Sequence, residues 1–463
     1  MSFRTSFRVS VLAVAAVVAM AGISTIPANG DATSPNPTSS PSATATPTTA
    51  PSADALTAEY PADFKLTPLS ADPINDVAKP EHGAYQTDPA YGTRVYRATN
   101  ADQTGRMRHE YSRRQAFNAD NTRYLAQDGK GFWHLYDATT FGYLHKLPDL
   151  AGDCEPLWHP GEPSRLYFTE RNGGMVWWLL DVEAGTKEQA FDFTGRTPWP
   201  GATSFWTKGE GTLSADGKVL GLMATSYDAA ARGNICHGLL ALDLENKTVI
   251  GTLDASAFPV PGAFPDHVST APSGTYVVPS WLAGEGGTVA YSTDFTQSRQ
   301  LLDGSEHSDL ALGPDRRDLL VVADYGKGQI ASIDVATGER NDLHTLYPVD
   351  GEAYAVHISG QAFGAPGWAV ISTYGDSAGH NSQTPAPAIR AEYRKVWLLE
   401  LTPGGRALNV AHIRADWDKI DGDPYFLEPQ ASASRDLSRI IFATNLGGGE
   451  INSYVIGLPS VFA

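Results

Sequence analysis

A turn followed by an apolar strand recurs seven times along the chain. The units start at one aligned position, occupied in chain order by His109, Glu155, Trp206, His267, His307, His357 and Gln430. Successive starts are 46, 51, 61, 40, 50 and 73 residues apart. Most units continue into a third strand that ends in an acidic residue, such as "VWWLLD" or "IASID", and then into a weaker fourth strand. Four short strands repeated every 40–50 residues or so predict the blades of a β-propeller.

The seven starts predict an all-β fold, a seven-bladed β-propeller with four-stranded blades. Glycine (45) and proline (31) are abundant, as a chain dense in turns requires. The last unit lacks a fourth strand, and "GTRVYRAT", residues 92–99, is a spare N-terminal strand that we expect to close the ring. Two β-sandwiches are the alternative, and the regular period argues against them.

The N-terminal part of the chain has the sequence pattern of a targeting signal followed by a linker. A basic start, a short apolar run and small residues give residues 1–30 the layout of a secretory signal peptide. Residues 31–56 are nearly uncharged and rich in Ser, Thr, Pro and Ala, which predicts a disordered linker. We therefore expect a secreted, extracellular protein whose residues 57–463 form the propeller.

The charge of the chain limits its partners. The formal net charge is −18, and no block is rich in Lys and Arg, so nucleic acid is a poor partner for the surface as a whole. No stretch after the signal peptide is long and apolar enough to span a membrane. We expect a monomer.

The aligned starts place several histidines together. In a propeller the innermost strands line a central channel, so their first residues surround one mouth of it. His109, His267, His307 and His357 hold four of the seven positions, and the last three belong to consecutive blades. Imidazoles there can ligate a metal or move protons, and three of them with Gln430 or Glu155 would suit one divalent ion, manganese or calcium. The alternative is that these side chains only satisfy water and loop backbone.

The same face receives the connections between second and third strands. In the third unit, "SYDAAARGNICHG" carries Tyr227, Arg232 and His237. In the sixth unit, a longer loop carries Arg390 and Arg394. Long loops on one face of a rigid scaffold commonly form sites, so we expect a locally cationic mouth. The alternative for each arginine is a solvated loop charge.

Two cysteines are compatible with one disulfide in an exported protein. Cys154 lies at the start of the second unit and Cys236 in the long loop of the third. Both are expected on the same face of adjacent blades, so we predict that they pair. Two free buried thiols are the alternative.

The blade pattern and the histidines at the mouth resemble those of secreted seven-bladed propeller polysaccharide lyases, from about residue 85 to the end. That group includes oligogalacturonate, ulvan and rhamnosyl-glucuronate lyases. The resemblance implies a manganese ion held by three histidines and a glutamine, for which His267, His307, His357 and Gln430 are the matching residue types. In metal-free relatives, arginine and polar side chains neutralise the substrate carboxylate instead.

The resemblance also implies β-elimination at a uronic acid in a plant or algal polysaccharide or oligosaccharide. A base removes the C5 proton and an acid protonates O4. His109 or His237 would be the base, and Tyr111 or Tyr227 the acid. The substrate-binding candidates are Arg113, Glu155, Trp206, Arg232, Arg390 and Arg394. His109 is the first choice because "RMRHEYSRR" brings His, Tyr and Arg together.

Two other classes of function remain open from the sequence. A propeller can be a non-catalytic platform that binds glycans or proteins, because a fold does not fix a function. A glycoside hydrolase needs two opposed carboxylates at the mouth, for which Glu155, Asp376 and Glu392 are the candidates.

Overall fold

The computed structural model describes residues 56, 60–61, 63–102, 104–230, 232–348, 353–376, 390–420 and 422–458. These residues lie in one compact unit, Ala50–Ala463. The predicted signal peptide lies outside the described residues, and so does the predicted linker apart from Leu56. The middle of the long sixth-unit loop also lies outside them.

The described residues form 29 β-strands, three short 3-10 helices and no α-helix. None of their helices is long and apolar enough to cross a membrane. The 3-10 helices are Ala255–Ala257, Trp417–Lys419 and Pro424–Leu427.

The strands follow the predicted units. Two strands precede the first unit: β1 (Tyr85–Thr87) and β2 (Arg94–Arg97). Blade one has β3 (Arg106–Arg108), β4 (Arg123–Asp128), β5 (Phe132–Asp137) and β6 (Tyr143–Ala151). Blade two has β7 (Leu157–Trp158), β8 (Arg165–Phe168), β9 (Val176–Asp181) and β10 (Thr186–Asp192). Blade three has β11 (Ser204–Trp206), β12 (Val219–Asp228), β13 (Gly233–Asp243) and β14 (Thr248–Asp254).

The second half of the chain repeats this organisation. Blade four has β15 (His267–Thr270), β16 (Tyr276–Ser280), β17 (Thr288–Ser292) and β18 (Ser298–Leu302). Blade five has β19 (Ser308–Leu312), β20 (Asp318–Asp324), β21 (Gln329–Asp334) and β22 (Arg340–Thr345). Blade six has β23 (Tyr354–Ser359), β24 (Trp368–Asp376), β25 (Lys395–Glu400) and β26 (Ala407–His412). Blade seven has β27 (Ser432–Ala433), β28 (Arg439–Thr444) and β29 (Ile451–Gly457).

Within each blade the strands pair in sequence order and antiparallel. Blades two to six are separate four-stranded sheets, and blades one and seven share a nine-stranded sheet. In that sheet β3 pairs parallel with β29, with Arg106 opposite Ile451. The N-terminal strand β2 pairs antiparallel with β29, with Arg97 opposite Tyr454, and β1 pairs with β2.

The core lies between neighbouring blades, which explains the uneven hydrophobicity of the strands. Every residue of β20, "DLLVVAD", is buried because this strand is covered on both faces. The outer strand β18, "SRQLL", keeps its residues exposed or half-buried, which matches the weak fourth strand of the sequence pattern. Between blades two and three, Phe193 stacks on Phe205 with ring centroids 3.9 Å apart.

The acidic residue that ends the third strand of several units has a local role. Asp181 ends β9, and its Oδ1 accepts hydrogen bonds from the backbone N–H groups of Glu183 and Ala184. Asp334 ends β21 and accepts in the same way from Thr337. Side chains of this kind close the turn into the fourth strand, so this repeated signal reports turn chemistry.

The predicted disulfide is wrong. Cys154 and Cys236 are both free and buried. The Cys154 side chain packs near Trp133 and Trp158, whereas Cys236 packs in a different cluster near Met223. Each thiol therefore serves as a small apolar side chain in its own core cluster, and burial raises the pKa of both.

Candidate functional site

One loop of blade one reaches all the other blades. We call residues 108–116 the channel segment; it begins at the last residue of β3, the innermost strand of blade one. The Arg108 guanidinium donates to the Phe426 carbonyl at 3.0 Å, and the Gln115 amide donates to the Gln361 carbonyl at 3.3 Å. The segment's partners in blades two to seven are, in order, Trp158, Thr207, His267, Ser308, Gln361 and Phe426. Contacts with six blades require the segment to cross the channel.

Arg113 of the channel segment is a buried cation. Its Nη1 donates to Nε2 of His267 and lies 3.0 Å from Oε2 of Glu210. Its Nη2 makes two longer contacts, 3.4 Å to the Glu306 carbonyl and 3.5 Å to Oγ of Ser308. Burial lowers the pKa of Arg113, but Glu210 and other acidic groups outweigh this, so the net shift is upward and the charge is retained.

His267 orients this guanidinium. Because Nε2 of His267 accepts from Arg113, the ring proton is on Nδ1, which faces Asp266 at 3.5 Å and Glu210 at 3.8 Å. Burial and the positive charge of Arg113 both lower the pKa of His267. The imidazole is therefore neutral and acts as a hydrogen-bond acceptor toward Arg113.

His307 keeps one ring nitrogen without a proton. Its Nδ1 donates to the Val356 carbonyl at 2.7 Å, which fixes the tautomer and leaves the lone pair on Nε2. Nothing among the described residues hydrogen-bonds to this Nε2, and the residue is only half-buried. Burial and the neighbouring His357 lower the pKa of His307 to about 3, so the ring is neutral at ordinary pH.

An aromatic wall lies beside His307. The His307 and His357 ring centroids are 4.7 Å apart. The His357 ring stacks on Tyr374 at 4.6 Å, and Tyr111 meets it edge-on at 5.3 Å. Burial raises the pKa of Tyr111 well above its usual range, so the phenol keeps its proton. The wall thus places a phenol and two imidazoles within one small volume.

The four residues predicted to hold a metal do not form a metal site. Nε2 of His267 is taken by Arg113, and Nε2 of His357 lies 2.8 Å from Oε2 of Glu428. Oε1 of Gln430 accepts from the Arg108 guanidinium. No group of three or more His, Cys, Asp or Glu side chains among the described residues is arranged to hold a metal ion. The side chains present therefore do not fit the predicted manganese ligands.

His109, the first choice for the base, is buried, and both of its ring nitrogens have partners. Its Nε2 lies 2.7 Å from the Gln430 carbonyl oxygen, and its Nδ1 lies 3.2 Å from Oγ of Ser453. Only 1% of the residue is exposed, and burial together with Arg108 lowers the pKa of His109 to about 3. Both ring nitrogens are engaged in joining blade one to blade seven, so we do not assign catalysis to His109.

Glu155 and Trp206 also serve the fold. The buried Glu155 carboxylate accepts from the Thr207 N–H at 2.9 Å and from the Gly209 N–H at 2.6 Å, and so ties blade two to blade three. The Trp206 side chain is buried in a core cluster, where its Nε1 donates to Oγ1 of Thr225 at 3.0 Å. Neither side chain has a surface open to a sugar.

The loop candidates of blade three lie on the hairpin between β12 and β13. Tyr227 is 56% exposed, Arg232 is exposed, and the half-buried His237 has its Nε2 2.8 Å from Oγ of Ser226. Within the part of the chain that the structure describes, no hydrogen bond or ion pair joins this hairpin to Arg113 or His307. These three residues remain predictions.

The blade six arginines are packed rather than solvated. Arg390 lies over the Tyr354 ring at 6.0 Å, and Arg394 lies over the Trp417 ring at 5.1 Å. Both residues are about 4% exposed. Their assignment to substrate binding also remains a prediction.

The sequence interpretation missed four side chains that lie around Arg113, His267 and His357. They are Glu210, Asp266, Tyr374 and Glu428. Two of them lie within two residues of an aligned start: Asp266 directly precedes His267, and Glu428 lies two residues before Gln430. A search of the neighbours of each start would have found these two. Tyr374 carries no such signal, because it lies on the second strand of its blade.

Comparison with known proteins supports the fold. No family model matches the chain, and no curated protein does. A solved oligogalacturonate lyase in complex with manganese has a TM-score of 0.56 and 16% identity, covering 81% of this chain and 96% of that one. An oligogalacturonate lyase from Vibrio parahaemolyticus has a TM-score of 0.54 and 14% identity, covering 82% and 97%. At these identities the likeness shows the fold, and it confirms the predicted β-propeller.

Proposed function

We propose that this chain is a secreted polysaccharide lyase. It would cleave the bond at O4 of a glucuronate or galacturonate residue by β-elimination and leave an unsaturated uronate. The observation that carries the proposal is that a neutral His307, whose Nε2 accepts no hydrogen bond from the described residues, lies beside the cationic Arg113, which contacts Glu306 and Ser308 on either side of His307 in the chain. The likeness to two solved oligogalacturonate lyases supports the same reaction class.

The base in this proposal is Nε2 of His307. It takes the C5 proton, and the electron pair of that C–H bond moves toward the carboxylate of the sugar. The developing enolate is stabilised by a nearby positive charge, which the mouth supplies in Arg113. An anionic substrate also adds negative charge beside the imidazole, which raises the pKa of His307 in the complex and makes it a stronger base.

The acid in this proposal is the phenol of Tyr111. As the C4–O4 bond breaks and the C4=C5 double bond forms, the leaving oxygen takes a proton. Tyr111 holds its proton because burial raises its pKa, and it lies beside the His357 ring. One proton leaves carbon and one reaches oxygen, so the reaction needs no water and no redox partner.

The substrate class follows from the chemistry. Elimination needs a carboxylate next to the C5 proton, so the substrate is a uronate-containing plant or algal polysaccharide or oligosaccharide. We would mix the protein with pectin fragments, ulvan and gum arabic and follow ultraviolet absorbance of the unsaturated uronate. A rise with one substrate supports the proposal. Free reducing ends without a rise would point to hydrolysis, and no change would favour a binding platform.

A further inference from the structure

We propose that the guanidinium of Arg113, oriented by His267, binds the uronate carboxylate and takes the place of a divalent ion in this mouth. The inference rests on the proposed function and adds to it that Arg113 binds the carboxylate directly, in exchange for Glu210 and without a metal ion. It makes His267 a positioning residue for Arg113 rather than a metal ligand.

The contacts of Arg113 leave one edge of its guanidinium group available to a ligand. Nη1 is held by Nε2 of His267 and by Glu210 at 3.0 Å. Among the residues that the structure describes, the only contacts of Nη2 are those of 3.4 and 3.5 Å, which are at the outer limit for hydrogen bonds. A planar guanidinium pairs well with a carboxylate because two parallel N–H groups meet two oxygens. The weakly held Nη2 edge is therefore where a sugar carboxylate gains most.

Glu210 makes the exchange feasible. Its side chain is 33% exposed, whereas that of Arg113 is 4% exposed. The carboxylate that neutralises Arg113 in the free protein thus lies on the solvent side of the guanidinium. A substrate carboxylate arriving from solvent can replace Glu210 at Nη1 with one oxygen and meet Nη2 with the other, while Nη1 keeps its bond to His267.

The same geometry disfavours a divalent ion. A metal at Nε2 of His267 would have to displace the guanidinium that already bonds to this lone pair. The displaced cation would leave Glu210 and remain buried near the metal, which like-charge repulsion opposes. His357 offers no substitute, because its Nε2 lies 2.8 Å from Glu428.

The position of Arg113 also fits the reaction. Its Nη2 contacts the Glu306 carbonyl and Ser308, the residues that flank the proposed base His307 in the chain. In the sugar, the carboxylate is attached to the carbon that loses its proton. A guanidinium that contacts both chain neighbours of the base matches that arrangement.

The test compares a uronate oligosaccharide with its methyl ester, whose carboxyl carries no charge. We expect Arg113→Gln to lower kcat/KM on the acid at least 100-fold and on the ester less than 5-fold, so the preference for the acid collapses. Arg414→Gln is the matched control, because the Arg414 side chain is only 7% exposed and is also paired with a carboxylate, that of Asp88, at 2.8 Å. It should keep the preference.

Measurements on the unaltered protein keep the proposal falsifiable if Arg113→Gln does not fold. We expect elemental analysis to find less than 0.1 manganese or calcium per chain, and a chelator to leave activity unchanged. Activity that is lost with chelator and restored by manganese would overturn the inference. An Arg113→Gln protein that folds and still prefers the acid would overturn it too.

Calorimetry separates failure of this inference from failure of the proposed function. If no substrate gives an unsaturated product, the lyase proposal fails, and binding of the acid oligosaccharide is measured instead. Binding that is at least 50-fold weaker in Arg113→Gln would still support Arg113 as a carboxylate site. Equal binding by both proteins, or no binding by either, would overturn it.

Discussion

Replacing His307 with alanine removes the proposed base while leaving the fold intact. The side chain is half-buried and has one backbone partner, the Val356 carbonyl at 2.7 Å. Loss of one such hydrogen bond costs about 1 kcal/mol of unfolding free energy. For a folded unit of this size, that corresponds to a shift of about 1–2 °C in the midpoint of thermal unfolding.

The effect on catalysis should be much larger. A positioned general base contributes roughly 10²- to 10⁴-fold in rate, or about 3–5 kcal/mol of activation free energy. We therefore expect His307→Ala to lower kcat by at least about 100-fold, with the initial rate of unsaturated product as the assay. His145→Ala is the matched control, since His145 also bonds a backbone carbonyl, that of Val182 at 3.1 Å, but lies on the outer strand β6.

His109→Ala should behave in the opposite way. Its ring is buried, with the Gln430 carbonyl and Ser453 as partners, so its removal leaves a cavity and unpaired polar groups. We expect a loss of about 3 kcal/mol in stability. The enzyme that remains folded should turn over at a rate within about a factor of ten of the unaltered protein, far from the loss expected for a missing base. An inactive His109→Ala with an unchanged midpoint, beside a fully active His307→Ala, would refute this assignment of the base.

Three further predictions concern side chains that take no part in the proposed reaction. Burial raises the pKa of Glu110 from 4.5 to about 8, so the Glu110 carboxyl binds its proton more tightly in the folded protein than in the unfolded chain. The free energy of unfolding therefore falls as the pH rises from about 4.5 to about 8. Glu110→Gln should therefore gain stability over the unaltered protein at pH 9 but not at pH 4, by on the order of 4 kcal/mol in denaturant titrations. Glu155→Ala should lose about 3 kcal/mol, because two backbone donors lose their acceptor, and chemical unfolding checks this. Thiol titration of the unfolded protein without reductant should find both Cys154 and Cys236, and finding neither would contradict two free thiols.

The fold could be predicted because its signals are local and repeated. Each blade needs an apolar inner strand, a turn and an acidic residue such as Asp181 or Asp334, and these lie within a few residues of one another. The aligned starts also fall close to the inner strands: His267 begins β15, and His307 directly precedes β19. Because β20 is covered on both faces, its central residues, 319–323, are all apolar.

The candidate site could be predicted only in part, because its contacts join residues far apart in the chain. His307 was found by alignment, but its role depends on the Val356 carbonyl of the next blade. The pairing of Arg113 with His267 spans 154 residues and arises only because the channel segment crosses to blade four. The same crossing buries His109, which adjacency in "RMRHEYSRR" alone could not indicate.

The measurement that tests the central claim most directly is mass spectrometry of the products formed in water enriched in heavy oxygen. Elimination uses no water, so the account predicts an unsaturated uronate at the new non-reducing end and no heavy oxygen in either fragment beyond slow exchange at the reducing end. Hydrolysis would put one heavy oxygen into a product at every cleavage and leave the uronate saturated. That result would contradict the assignment of His307 as a base that acts on carbon.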